Sequence, residues 1–254
     1  STLFSRAWLY TRVDQLLLPR LDAVVLVSEA IRGRIPGAVA RKPSTRVIPN
    51  GIDLRKVRAQ ADADAVPTEV ESFCTEHSPV LLGVGRLSDE KAFDRVLRIA
   101  AALRDEHPAV GVLVVGEGRL RAELESSAAE LGVPLAMPGF SDRVPAIMRR
   151  CDLLCMPSRT EGLPLTLLEA MTVGLPVAAT PVGEIPRVLE GGRAGAILDR
   201  TDEDQMAVAV RAWLADDTAR GAAVDRARDR VESVYSSEAM AAGYEVVYRD
   251  AGAA

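Results

Sequence analysis

The sequence predicts a doubly wound, parallel α/β sheet followed by a helical C-terminal segment. Three observations carry that expectation. Short β-branched runs, apolar at successive positions, recur along the chain. Stretches with apolar residues at helical spacing separate them. From residue 205 onward no strand pattern is left, only helical spacing.

The elements follow in order. Val24–Val27, Thr45–Ile48, Val80–Val84, Gly111–Val115, Leu135–Met137, Leu153–Met156 and Val177–Ala179 read as strands. They are too short and too evenly apolar for hairpins that keep one face wet. Phe93–Glu106, Glu117–Leu131, Asp142–Arg150 and Pro164–Val173 read as the helices between them. Parallel strands need such crossovers, and the helices cover both faces of the sheet. Asp202–Ala215, Ala219–Ser233 and Glu238–Tyr248 read as terminal helices. Ser1–Thr45 reads as helix, strand and helix, too little for a core of its own. Pro49-Asn50-Gly51 is a turn, and the Ala/Asp tract Ala59–Val66 reads as an exposed loop. Ligands of such a sheet bind beyond the carboxyl ends of its strands, so the loops after the strands are the places to search.

Composition narrows the function. The chain has 254 residues, 48% apolar and 26% charged, which suits a soluble, folded protein with one large core. No apolar run approaches the roughly 20 residues of a membrane-spanning helix. Three cysteines are too few for a disulfide framework and suit a reducing compartment. Ser1–Tyr10 lacks the parts of a signal peptide, so a cytoplasmic location is expected. Residues 1–58 hold 11 Lys/Arg and 4 Asp/Glu, a net of +7, whereas the rest hold 20 and 32, a net of −12. So acidic a body argues against general nucleic-acid binding.

Two loops carry chemistry. Gly83-Val84-Gly85-Arg86-Leu87-Ser88-Asp89-Glu90-Lys91 leaves a strand and enters a helix. Its glycines let a ligand come close, and Arg86 and Lys91 are placed to reach one anion. Lys91 is one of only three lysines beside 28 arginines. Alone, two solvated charges beside Asp89 and Glu90 explain the loop equally well. The second loop, Pro157 to Pro164, also follows a strand. Pro164 suits a first helical position, leaving the amides of Leu165 to Leu167 to meet a phosphate or polar oxygen. Glu161 and Glu169 flank this helix start, with hydroxyls as their natural partners. By itself, a capping Glu161 with a salt-bridged Glu169 is the plainer explanation. The two loops together fit a nucleotide diphosphate-sugar.

From about Thr45 to Arg249 the chain resembles the C-terminal, Rossmann-like half of a retaining GT-B glycosyltransferase of family four. The motifs are Ile48-Pro49-Asn50-Gly51-Ile52-Asp53, Gly85-Arg86-Leu87-Ser88-Asp89-Glu90-Lys91, Val115-Gly116-Glu117-Gly118, Pro138-Gly139-Phe140, and Glu161-Gly162-Leu163-Pro164 running to Glu169-Ala170-Met171. Gly174-Leu175-Pro176-Val177 and Pro181-Val182-Gly183-Glu184 complete the series. The resemblance implies roles for matching positions. Arg86 and Lys91, beside Gly85, would hold and stabilise the departing diphosphate. Glu161 would face the sugar, helped by main chain at Gly162, Leu163, Leu165 and Thr166. Glu169 would take the ribose hydroxyls, and Gly139, Phe140 and Ser141 would lie beside the base. Arg86, Lys91 and Glu161 form the implied catalytic set.

No metal and no separate cofactor are implied; the nucleotide sugar, expected to carry UDP or GDP, is a substrate. The acceptor would be a glycan, a lipid or a small molecule. Residues 1–45 would be a remnant of the facing domain, 46–236 the donor domain and 237–254 a crossover helix. The missing half would carry the acceptor pocket, a catalytic-site histidine and any peripheral membrane contact. Unpartnered faces, including Met240, Tyr244, Val247 and Tyr248, could support self-association. Ala92 replaces the glycine usual after the loop lysine, a departure that still permits a helix start. His77 and His107 read as surface residues that end helices.

Other signals are weaker. Asp62-Ala63-Asp64 mimics a metal motif but sits in the Ala/Asp tract, and Asp202-Glu203-Asp204 suits a helix start. Cys151 and Cys155 lack a second pair for zinc, and Cys74 has no partner nearby in sequence. Gly116-Glu117-Gly118 lacks the third glycine of a dinucleotide fingerprint. Leu3, Trp8, Leu9, Leu16, Leu17 and Leu18 beside Arg6, Arg12 and Arg20 suit packing inside a protein better than a membrane surface. The competing functions are a nucleotide-sugar binding module without transfer activity and a GT-B sugar-nucleotide epimerase. The Glu161/Glu169 pair and the absence of a site histidine disfavour the epimerase.

Overall fold

The computed structural model describes residues 16–33, 35–62 and 66–252. The expected helix over the first residues, with Leu3, Trp8 and Leu9, lies outside them, as do Ala63 and Asp64. The chain forms two compact units, one from residues up to Gly51 together with Val234 onward, the other Ile52–Ser233.

The first unit is small. Strands β1 (Val24–Leu26) and β2 (Thr45–Val47) pair in parallel, Val24 opposite Thr45. Val24, Leu26 and Val39 are buried between them and the short helix Gly37–Ala40. The Thr45 hydroxyl donates to the Val39 carbonyl at 2.6 Å, so the one buried polar side chain of β2 is satisfied. The helix Ser237–Gly252 belongs to this unit, and Arg46 pairs with its Asp250 at 2.5 Å.

The second unit is a six-stranded sheet, all neighbours parallel, in the order β5-β4-β3-β6-β7-β8. The ranges are β3 Val80–Val84, β4 Gly111–Val115, β5 Leu135–Gly139, β6 Leu153–Met156, β7 Val177–Ala179 and β8 Ala196–Ile197. Every residue of β3, β4 and β6 is buried, as expected for strands covered on both faces. The helix Phe93–Leu103 shows why sequence dictates packing. Phe93, Val96, Leu97, Ala100 and Leu103 fall at helical spacing and are buried on the sheet. Each such large side chain contributes about 1.5–3 kcal/mol. Strand order reverses between β3 and β6, where diverging crossovers leave a crevice.

Several expected boundaries move. The Glu117 helix begins only at Arg121, because residues 117–120 loop back onto Leu87: its amide donates to the Glu117 carbonyl, and Leu120 donates to the Leu87 carbonyl. The Asp142 helix contracts to Val144–Met148, and the Phe93 helix ends at Leu103 rather than Glu106. Ala59–Val66 is not simply a loop. Asp53 caps a helix Leu54–Ala61 by accepting from the Lys56 amide, and Ala61 is buried in its last turn beside Val57. Thr68–Glu76 is the helix that His77 ends, as expected, whereas the helix Leu54–Ala61 and the two-residue β8 lie where the sequence predicts no element. Among the described residues no helix is long and apolar enough to cross a membrane.

Candidate donor site at the switch point

The loops after β3 and β6 meet at this reversal. The Arg159 amide donates to the Glu90 carbonyl at 2.8 Å, and its Nε donates to the Asp89 carbonyl at 3.2 Å. Lys91 Nζ then lies 2.7 Å from Glu161 Oε1, joining side chains 70 residues apart. The Lys91 stem lies over Gly85, whose φ is +144°; a Cβ there would come within 3.1 Å of Lys91 Cε. Only a glycine both adopts that backbone and leaves room for the lysine.

Glu161 is nearly buried, its side chain 8% exposed. The Ser158 hydroxyl donates to the same Oε1 at 2.7 Å. Both bonds converge on one oxygen, and Oε2 makes no protein hydrogen bond among the described residues. Ser158 is itself fixed, since Thr180 Oγ1 donates to its carbonyl at 2.6 Å. Below the loop, the buried Arg95 donates to the Pro157 carbonyl at 3.2 Å and to the Arg200 carbonyl at 3.3 Å. On its far side Gly183, at φ +58°, lies so close that a Cβ would strike the Glu161 carbonyl at 2.2 Å. The Glu184 amide donates to the Gly162 carbonyl at 3.0 Å. The glycine of Pro181-Val182-Gly183-Glu184 is therefore a buttress for the loop that carries Glu161.

Two of the remaining predicted side chains, Arg86 and Glu169, have no partner among the described residues. Arg86 is exposed and makes no side-chain hydrogen bond or ion pair among the described residues. Glu169, on the helix Leu165–Val173, likewise has no partner there. Burial alone raises its pKa above the ordinary carboxylate range. This inverts the plainer expectation: Glu161 is the salt-bridged acid and Glu169 is the unpaired one. Pro164 caps the helix instead of starting it, and the Leu167 amide is used, donating to the Pro164 carbonyl at 3.2 Å. Leu165, Thr166, Gly162 and Leu163 stay within this turn, Gly162 and Leu165 exposed.

At the end of β5, the Gly139 carbonyl accepts from the Gly116 amide at 2.8 Å, which brings the β4 and β5 loops together. Phe140 is 82% exposed, and Ser141 Oγ accepts from the Arg143 amide at 3.1 Å. His77 and His107 are half-buried rather than on the open surface; His77 stacks on Phe73 with centroids 4.3 Å apart. Sequence reasoning missed Ser158, Thr180 and Arg95. The spacing Ser158-x-x-Glu161, that of a capping box, was a usable signal for the first.

The comparisons with known proteins bear on the family and the fold. The family described as "Glycosyl transferases group 1" matches residues 58–230. A GDP-mannose-dependent alpha-(1-6)-phosphatidylinositol monomannoside mannosyltransferase of Mycolicibacterium smegmatis is 31% identical over 206 residues, covering 77% of this chain and 53% of that protein. A 2-deoxystreptamine glucosyltransferase of Streptomyces kanamyceticus is 33% identical over 186 residues, covering 69% and 46%. The chain thus spans about half the length of the curated relatives it matches. The crystal structure of Anabaena HepE in complex with UDP has the same fold, with TM-score 0.79 and 21% identity over 97% of this chain and 68% of that one.

Proposed function

The chain belongs to the group 1 glycosyltransferase family, and from that premise we propose that the crevice between the β3 and β6 loops binds a nucleoside diphosphate-sugar. The whole protein then transfers the sugar to an acceptor hydroxyl, retaining the anomeric configuration and using no metal. One observation carries the reading: Lys91 and Glu161 meet at 2.7 Å at the switch point, with Glu161 Oε2 left for a ligand. The unpartnered Arg86 and Glu169 support it.

Each residue has a task. Arg86 and Lys91 neutralise charge on the diphosphate as its bond to the anomeric carbon breaks. Lys91 has three donors, so it can meet a phosphate oxygen while still holding Glu161. Glu161 accepts hydrogen bonds from sugar hydroxyls, with the loop amides from Gly162 to Thr166 beside it. Glu169 accepts from the ribose, and the main chain at Gly139, Phe140 and Ser141 borders the base. The acceptor oxygen bonds to the anomeric carbon on the face the phosphate leaves, and its proton passes to the departing phosphate. Positioning and charge stabilisation supply the rate.

In this reading residues 46–236 are the donor domain, 1–45 belong to the facing domain and 237–254 are the crossover segment. The donor is a UDP- or GDP-sugar: one relative is named as GDP-mannose-dependent, and HepE was crystallised with UDP. The acceptor is a hydroxyl of a glycan, a lipid or a small molecule. Calorimetric titration with UDP, GDP and ADP tests the site. Saturable heat with UDP or GDP supports it, and no heat with any of the three rejects it.

A further inference from the structure

Four residues apart, Lys91 and Arg95 grip the two ends of one turn. Lys91 Nζ holds Glu161 at 2.7 Å, and Arg95 Nη1 donates to the Pro157 carbonyl at 3.2 Å. Between these points the Arg159 amide and Nε donate to the Glu90 and Asp89 carbonyls. The turn 157–161 is thus fastened to the segment 89–95 from end to end. Lys91 stays partly exposed, whereas Arg95 lies inside, 5% exposed. Local chemistry does not favour a cation there. Arg95 stands in the first turn of the helix Phe93–Leu103, at the positive end of its dipole. Ile99, one turn on, is fully buried. Arg95 Nε makes no hydrogen bond and lies 3.6 Å from Glu203 Oε1. An apolar side chain of similar volume at such a place is commonly no less stabilising.

What the guanidinium adds is reach. Its Nη1 also donates to the Arg200 carbonyl at 3.3 Å. That carbonyl sits in a fixed turn, where Asp199 Oδ1 accepts from the Thr201 and Asp202 amides, each at 2.8 Å. Arg98 holds Glu203 at 2.6 Å, which keeps that carboxylate beside Arg95. Pro157 is therefore tied through Arg95 to the turn after β8. Given the nucleoside diphosphate-sugar reading of the crevice, on which this rests, we propose that Arg95 is a positioning residue for the transferred sugar. It fixes the Pro157 carbonyl, and with it the turn that presents Glu161 Oε2 to the sugar hydroxyls. Arg86, Lys91 and Glu169, assigned to the diphosphate and ribose, lie outside that turn. Loss of Arg95 then separates affinity for the sugar from affinity for the nucleotide.

The test measures calorimetric affinities of the whole chain for UDP and UDP-glucose and for GDP and GDP-mannose, beside amide hydrogen exchange read by mass spectrometry. Arg95→Met keeps the volume and removes the donors. Affinity for the nucleoside diphosphate should stay within about twofold. Affinity for the matching sugar nucleotide should fall about tenfold, on the scale of one lost hydrogen bond to a charged group. Exchange at residues 158–163 should quicken about tenfold while β3 and β6 stay protected. Arg95→Lys keeps a charged donor and should recover most of the loss, leaving about threefold. Should the methionine variant not fold, the lysine variant decides by the same ratio. Equal falls in both affinities, an unchanged ratio, or unchanged exchange in a folded variant overturns the proposal. Failure of the underlying reading looks different: the parent chain then gives no heat with any of the four compounds, and both fall.

Discussion

Two carboxylate regions of the larger unit solve opposite problems. Glu190, at the turn before β8, is saturated: Arg230 Nη1 lies 2.9 Å from its Oε1, Arg226 donates to its Oε2, and Arg193 stands 3.5 Å away. The hydrogen bond from Arg226 holds its pKa below the ordinary range. At the switch point, Glu161 spends one oxygen on Lys91 and Ser158, and Glu169 has no partner among the described residues. The fold shows elsewhere that it can surround an acid with cations. A half-buried acid without one costs stability, and the cost is recovered when a ligand brings hydroxyls to it. The first region serves the fold, and the second, in the function proposed above, serves a substrate.

Substitutions can break or sharpen that contrast. The largest effect is expected of Lys91→Ala, which removes a cation from the diphosphate and leaves Glu161 nearly buried without it. Affinity for UDP or GDP should fall about a hundredfold, on the scale of a lost charge-assisted hydrogen bond. Calorimetry measures it, and an unchanged affinity would break the contrast. Arg230→Ala should do the reverse. Its guanidinium also holds the Val188 and Arg187 carbonyls at 2.9 and 2.8 Å, so the unfolding midpoint should drop by several degrees with nucleotide affinity intact.

Glu169→Gln should move both quantities in opposite directions. Affinity falls about tenfold, as a charged acceptor for ribose becomes a neutral one. Stability near neutral pH rises by less than about 1 kcal/mol, because the carboxylate keeps part of its solvent. The sign follows from its raised pKa. The penalty for ionised Glu169 appears as pH climbs from the ordinary carboxylate value through the raised one, so the gain is full above that window and absent below it. Thermal melts across that range measure it, and a gain that persists in acid would refute the cause.

The smallest effect is expected at Ala92. It sits at φ +51°, a left-handed position that costs a non-glycine residue about 1 kcal/mol, yet its methyl is buried. The sequence departure is therefore one of backbone conformation, more than a matter of helix start. Ala92→Gly relieves the strain and loses the methyl, so stability should stay within about 1 kcal/mol of the parent by denaturant titration.

What the sequence revealed depended on range. β3, β4 and β6 were legible because a strand buried on both faces must be a short apolar run. Lys91 and Glu161 were legible as members of two loops that both follow strands. Their contact was not, because strand order decides it and no local pattern encodes the switch point. Ser158 was hidden by being an ordinary loop serine, and Ala92 by a φ that composition does not report. β8 was missed because two residues carry no periodicity.

Backbone amide chemical-shift mapping of the chain with saturating UDP or GDP tests the central claim most directly. The account predicts the largest shifts at Gly85, Arg86, Lys91, Gly162 and Glu169, and their loss in Lys91→Ala. Shifts gathered instead around Arg58, Arg149 and Arg228, which line a separate cavity of about 370 Å³, would contradict it.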